Sequence, residues 1–239
     1  MRLSASLCNE DTTLIDKEIN DDISAIKQKY ISKDGTCKWN KQTAVAMLIY
    51  FGIYDNKEPL KQQLARLIEE NDFHHDCGMA GLRYLYIALN LCGLQEYAYR
   101  IINAKGFPSY SYWVDDGATA LYEHWDKKTS KNHHMYSDFM SWMVKTIAGI
   151  QSDINYPAFK KIEINPYFFE DLTFAECSCN TVSGKICVKW ERKDGMINLE
   201  IRIPSGTEAT FRGQKLEIGD NQTDGGYAKL SISDKPFSK

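Results

Sequence analysis

The sequence predicts an α + β multidomain chain in which a helical half precedes an antiparallel β-sandwich. Three observations predict it. An apolar period of three and four runs to about residue 150, a period of two follows residue 157, and Lys193-Asp194-Gly195 forms a turn between two alternating runs. In the first half, Ile15, Ile19, Ile23, Ile26 and Tyr30 recur at helical spacing and give residues 13–31 one apolar face. Residues 44–53 are apolar on nearly every side, which suits a helix buried within an assembly. Leu60, Leu64, Leu67 and Ile68 repeat the helical spacing, and Leu82, Leu85, Tyr86 and Leu89 do so again. Further helices are expected near 95–104, 116–125 and 136–149, about seven in all. In the second half Ile186, Val188 and Trp190 alternate with Lys185, Cys187 and Lys189, and Ile197, Leu199, Ile201 and Ile203 alternate with polar residues. A further hairpin is expected at Asp224-Gly225-Gly226. The boundary falls near residues 151–157, giving a helical domain over 1–152 and a sandwich domain over 153–239.

Composition narrows the function classes. With 43% hydrophobic and 26% charged residues, the 239-residue chain is long enough and apolar enough to bury a core. A net charge of −3 without a Lys/Arg stripe gives no footprint for nucleic acid. No apolar run is long enough for a membrane span. The amino terminus, MRLSASLCNEDTT, has one Arg and too short an apolar stretch for a secretory signal, so a cytoplasmic location is expected. The seven cysteines form an odd set without a CxxC pair, which indicates reduced thiols rather than a zinc site or a disulfide framework. Neither GxSxG nor a glycine-rich phosphate loop is present, and no cofactor is expected.

The chemistry concentrates between Tyr110 and His134. The run YSYWVDDGATALYEHW brings Tyr110, Tyr112, Trp113 and Tyr122 together with Asp115, Asp116 and Glu123, and Asn132-His133-His134 follows. Aromatic faces beside carboxylates suit sugars, because ring C–H faces stack on π faces while acids hold hydroxyls or act on the glycosidic bond. All five histidines lie here or in the FHHDCG segment at 73–78. Glu123, expected on the helix over 116–125, reads either as a surface glutamate or as the base that activates water in an inverting glycosidase. Asp115 and Asp116 read as caps for that helix, and Asp76 as a cap for the helix after it. His74 or His75 with His133, His134 or Asp76 is an alternative metal set, but no HxxxH or HExxH spacing supports it, and no metal is expected. Phe51, Tyr84, Tyr86, Trp142 and Trp190 read as core, and Cys177 and Cys179 as small buried side chains on one strand face.

Gln42-Thr43-Ala44, His74, Asp76-Cys77-Gly78, Pro108-Ser109, Gly117-Ala118-Thr119, Glu123-His124-Trp125-Asp126 and Asn132-His133-His134, in that order, resemble the bacterial α-L-rhamnosidases of glycoside hydrolase family 78. Gly184-Lys185-Ile186, Trp190 and the strand end Ile201–Pro204 are similar to that family's carboxy-terminal domain. The resemblance covers residues 20 to 218. It implies part of an (α/α)6 toroid, of the six-hairpin glycosidase type, followed by a β-sandwich. It also implies inverting hydrolysis of terminal α-L-rhamnosyl residues from rhamnose-containing glycosides or oligosaccharides. By position in the motif Glu123 is the general base, with His133 as a sugar-contacting neighbour. Tyr110 and Trp113 stand near the rhamnose, Asp76 stands at the rim or one layer behind it, and His74 is a further substrate-binding residue. The family's general acid lies in an arginine- and aspartate-rich segment that this chain lacks. The expectation is therefore an incomplete enzyme, completed by its missing amino-terminal half or left to self-associate. The alternatives are a non-catalytic sugar-binding remnant and a structural piece that needs a partner chain.

Overall fold

The computed structural model describes residues 2–128, 130–216, 219–221 and 225–234. They form two units, Met1–Phe139 and Met140–Lys239. Among the described residues the first unit contains α1 (Arg2–Leu7), α2 (Thr13–Tyr30), α3 (Gln42–Tyr50), α4 (Glu58–Glu70), α5 (Met79–Leu91), α6 (Gln95–Ile102) and α7 (Tyr110–Asp115), then a 3-10 turn (His134–Ser137). Helix α8 (Asp138–Thr146) begins at its end.

The core of the first unit is where periodicity places it. Leu60, Leu64, Leu67 and Ile68 of α4 and Leu82, Leu85, Tyr86 and Leu89 of α5 are buried, and both helices pack on Val45, Ala46, Leu48 and Ile49 of α3. Pro59 opens α4 at a position where its missing N–H goes unused. Gly81 lets α5 approach α3 closely: a Cβ there would lie 2.2 Å from Thr43 Oγ1. Two expectations fare differently. The apolar stretch 44–53 is not enclosed on all sides, since Met47 on α3 and Phe51 just after it remain exposed. α2 forms as predicted, yet none of its residues is buried.

The largest difference lies at 116–125, where no helix forms. Asp116-Gly117 is a helix stop. Gly117 takes φ +77°, its N–H donates to Val114 O at 2.9 Å, and Ala118 N–H donates to Trp113 O at 3.0 Å. These are the two bonds of a Schellman closure on α7. Asp115 and Asp116 therefore end one helix instead of capping the next. Ser109 is the N-cap that α7 uses, accepting from Tyr112 N–H at 3.1 Å.

The second unit is a two-sheet sandwich. Strands β1 (Ile150–Ser152), β2 (Lys161–Ile164), β6 (Glu208–Phe211) and β7 (Gln214–Lys215) form one sheet in the order β1-β2-β6-β7. Strands β3 (Phe174–Thr181), β4 (Gly184–Lys193), β5 (Met196–Ile203), β8 (Gly219–Asn221) and β9 (Gly225–Ser233) form the other in the order β3-β4-β5-β9-β8. Asp194 (φ +52°) and Gly195 (φ +72°) make the predicted two-residue turn, with Lys193 opposite Met196. Asp224 of the other expected turn lies outside the described residues, while Gly225 and Gly226 open β9. Ile186 and Val188 of β4 and Ile201 and Ile203 of β5 face Ile162 and Ile164 of β2 in one buried cluster. Trp190 is fully buried and donates its indole N–H to Ile147 O at 2.8 Å. The sandwich departs from pure antiparallel pairing at β2 and β6, which run parallel. A parallel pair needs a long crossover, and here strands β3 to β5 of the opposite sheet provide it.

Candidate active site

Glu123 sits on a loop, not a helix. Residues 121–123 and 130–133 lie side by side through an isolated antiparallel bridge between Tyr122 and Lys131, flanked by Glu123 N–H donating to Ser130 O at 3.1 Å and His133 N–H donating to Leu121 O at 2.9 Å. In a regular ladder Leu121 would face Asn132. Asn132 instead takes φ +68°, a left-handed conformation that Asn tolerates, and acts as the extra residue of a bulge. His133 thereby moves into the place opposite Leu121, on the loop face that carries Glu123 and Ser130.

The result is a convergent group. Glu123 Oε2 accepts from Ser130 Oγ at 3.1 Å and from Ser130 N–H at 3.4 Å, and it lies 3.8 Å from His133 Nε2. The Glu123 side chain keeps 28% exposure and that of His133 keeps 22%. The carboxylate is thus fixed in orientation yet reachable by water or a ligand. Two of its neighbouring acids are engaged elsewhere. Asp116 pairs with Lys127 at 2.7 Å and Asp126 with Lys128 at 3.0 Å. The Lys127 ammonium also lies 4.1 Å from the Tyr112 ring centroid, which ties the base of the loop to α7.

Trp125 anchors the loop to the helical core. Its ring stacks on His75 with centroids 4.7 Å apart and a 22° angle, and lies 4.7 Å from Trp113 on a 31° tilt. Tyr110 and Tyr136 meet it edge-on at 5.3 Å and 4.9 Å. The Trp125 indole N–H donates to Cys77 O at 3.0 Å, and Trp125 O accepts from the Trp113 indole at 2.9 Å. Tyr110 and Trp113, expected to stand against a sugar, are buried instead: they are only 9% and 2% exposed, and the Tyr110 hydroxyl donates to Tyr136 O at 2.8 Å. The reason is that α7 turns these rings inward, where they support the loop and offer no open face to a ligand.

The FHHDCG segment joins this group through the Trp125–Cys77 bond. Gln42, fully buried on α3, holds it at two points, donating to His74 O at 2.9 Å and accepting from Asp76 N–H at 3.0 Å. His74 has both ring nitrogens 2.8 Å from carbonyl oxygens, those of Asp72 and Lys105. Its ring thus acts as a tie between two loops. Asp76 does not cap α5, whose N-cap is Gly78 without a side-chain bond. Asp76 Oδ2 lies 3.4 Å from Lys41 Nζ, while its Oδ1 is buried with no hydrogen-bond partner among the described residues. His75 meets the Tyr86 hydroxyl at 2.8 Å, and burial pushes its pKa down to about 3. Burial pushes the Cys77 thiol up to about 12. Both are structural groups, kept neutral. Among the described residues no group of three or more His, Cys, Asp or Glu is arranged to hold a metal ion, and no helix is long and apolar enough to cross a membrane.

Two family models match the chain. Residues 7–147 match the bacterial alpha-L-rhamnosidase 6 hairpin glycosidase domain, and residues 149–220 match the bacterial alpha-L-rhamnosidase C-terminal domain. An alpha-L-rhamnosidase of Formosa agariphila is 30% identical over 192 residues, covering 76% of this chain and 20% of the relative. One of Streptomyces avermitilis is 26% identical over 198 residues, covering 77% of this chain and 19% of the relative. The chain therefore spans about a fifth of the length of these curated relatives. Among solved structures, the S. avermitilis alpha-L-rhamnosidase complexed with L-rhamnose superposes with a TM-score of 0.83 at 23% identity, covering 96% of this chain and 24% of that one. The Aspergillus terreus enzyme gives 0.79 at 24% identity, covering 88% and 26%. These two structures share the fold.

Proposed function

The chain belongs to the bacterial α-L-rhamnosidase family, and on that premise we propose that it supplies the general-base half of an inverting glycoside hydrolase acting on terminal α-L-rhamnosyl residues. The observation that carries the reading is the Glu123 carboxylate, oriented by Ser130, 3.8 Å from His133 and still open to solvent. In an inverting reaction the base takes a proton from water as the water oxygen attacks the anomeric carbon. An acid on the opposite sugar face gives a proton to the leaving oxygen, and the two carboxyl groups stand roughly 6.5–9.5 Å apart. Glu123 is the base in this scheme and His133 a neighbour of the bound sugar. Asp76, whose Oδ2 lies 3.4 Å from Lys41 Nζ, is the rim carboxylate in this scheme, and His74 holds the rim from behind. The acid on the opposite face is, in this scheme, supplied from outside residues 1–239. We accordingly assign the site to residues 1–152 and a supporting role to 153–239, with an amino-terminal segment as the partner.

The test is an assay on a chromogenic aryl α-L-rhamnoside, with the chain alone and with the amino-terminal remainder of a full-length relative added. Turnover that falls about 10²–10⁴-fold in Glu123→Gln is expected for a general base. Turnover unchanged by that substitution removes Glu123 from the mechanism. A folded chain that yields no turnover even when supplemented, and yet binds L-rhamnose in calorimetry, would favour a non-catalytic sugar-binding role.

A further inference from the structure

The second unit has a cleft of its own, of about 400 Å³, far from the chemistry above in sequence and built wholly from residues 152–182. It lies between the end of β1, the connection that follows it, and the end of β3 with its turn into β4. Ile154, Tyr156 and Val182 line it while remaining 67%, 47% and 88% exposed. Apolar side chains left open together around one concavity form the kind of exposed patch that a binding groove presents. The polar groups around them are available. The Tyr156 hydroxyl and the Asn180 amide have no hydrogen-bond partner among the described residues, although both line the cleft.

We infer that this cleft is a binding site for a neutral saccharide, distinct from the Glu123 loop. The chemistry selects the ligand. Tyr156 supplies an aromatic ring, one face of which is occupied by the Lys161 ammonium 4.9 Å from its centroid. An exposed tyrosine ring of this kind stacks on the C–H face of a pyranose and presents its hydroxyl to the sugar's edge. Ile154 and Val182 add apolar walls, and the Asn180 amide adds two donors and an acceptor, a combination that matches vicinal hydroxyls. Charge argues for neutrality. The one lining carboxylate, Asp153, already accepts from Asn155 N–H at 2.9 Å and lies 3.8 Å from Lys161 Nζ. The cleft therefore offers neither a free cation for an acidic sugar or phosphate nor a free anion for an amine. A peptide strand is the less suitable occupant, because β1 contributes only its last residue and β3 only its last two, too little edge for a ladder. The inference rests on the family reading for its expectation that sugars are the relevant ligands.

The experiment is a titration of the full chain followed by 1H–15N spectra. The probes are methyl α-L-rhamnopyranoside, methyl α-D-glucopyranoside, methyl β-D-galactopyranoside and a capped extended hexapeptide. At least one glycoside should give saturable shifts at Asn180, Val182 and Tyr156. Tyr156→Ala should weaken that binding about tenfold, the worth of one aromatic contact. Val182→Trp, at an exposed position that leaves folding intact, should block it, whereas Glu123→Gln should leave it unchanged. Shifts confined to residues 110–134, shifts that persist in both cleft variants, or binding of the peptide alone would each overturn the inference. Loss of Glu123-dependent turnover with cleft binding retained would overturn the proposed function alone, so the two failures are separable.

Discussion

Glu123 Oε2 lies 3.8 Å from His133 Nε2 because one residue between them, Asn132, stands outside the ladder in a left-handed conformation. Asn132→Gly should preserve the pair, since Gly adopts this conformation without strain. Asn132→Val should cost about 1–2 kcal/mol and turn His133 away. The check is the His133 imidazole signal in 1H–15N spectra. Glu123→Gln should shift it in the wild-type and Asn132→Gly backgrounds but not in Asn132→Val.

Trp125 is the keystone of the loop, and its ring and its N–H are separable. Trp125→Ala removes a ring that touches His75, Tyr110, Trp113 and Tyr136, and should destabilise the first unit by about 3 kcal/mol. Trp125→Phe keeps an aromatic ring and loses the bond to Cys77 O, for about 1 kcal/mol. Denaturant unfolding measures both. An alanine variant as stable as the phenylalanine variant would show that the stack contributes nothing.

Gly81 tests the contact between α3 and α5. A methyl group there would meet Thr43 Oγ1 at 2.2 Å and Cys77 Cβ at 2.6 Å. Gly81→Ala should therefore destabilise by about 1–3 kcal/mol through overpacking, against the ordinary helix preference for Ala. The double variant Gly81→Ala, Thr43→Ala should recover part of that loss in thermal melting.

Buried His75 gives stability a defined pH dependence. Its folded pKa is pushed down from 6.5 to about 3 by burial. Between those values the unfolded chain binds a proton that the folded chain refuses. The contribution is therefore complete above pH 6.5 and is lost as pH falls toward 3, by up to about 1.4 kcal/mol per pH unit. Urea unfolding at pH 7 and pH 5 should differ by about 2 kcal/mol more in the wild type than in His75→Gln. Equal pH dependence in the two proteins would mean that His75 is not the group responsible.

The helical half and the sandwich were legible from spacing alone. Ile186, Val188 and Trp190 are buried in strict alternation, and Leu60 to Ile68 form one buried helix face, because burial acts on many residues of a periodic element at once. What stayed hidden was local and tertiary. Asp116-Gly117 reads equally as the start or the stop of a helix until Gly117 is seen closing α7. Tyr110 and Trp113 read as platforms because aromatic side chains serve cores and sugar sites alike, and only packing around Trp125 decides between them. Ser130 and Gln42 each hold this group through two hydrogen bonds, across 7 and across 32 and 34 positions, separations that leave no periodic trace. Glu123 and His133 drew notice because carboxylate and imidazole near aromatics are uncommon, and the structure brings the two side chains to 3.8 Å.

The bulge at Asn132 makes the Glu123–His133 pairing a matter of counting. Side chains on a folded-back loop take one of two faces, so the number of residues between the two groups works as a parity bit. Loss or gain of a single position would send the imidazole to the wrong face with both chemical groups still present. Length is thus as strict an instruction in this loop as composition. A chain one residue shorter here would retain both groups and lose their pairing.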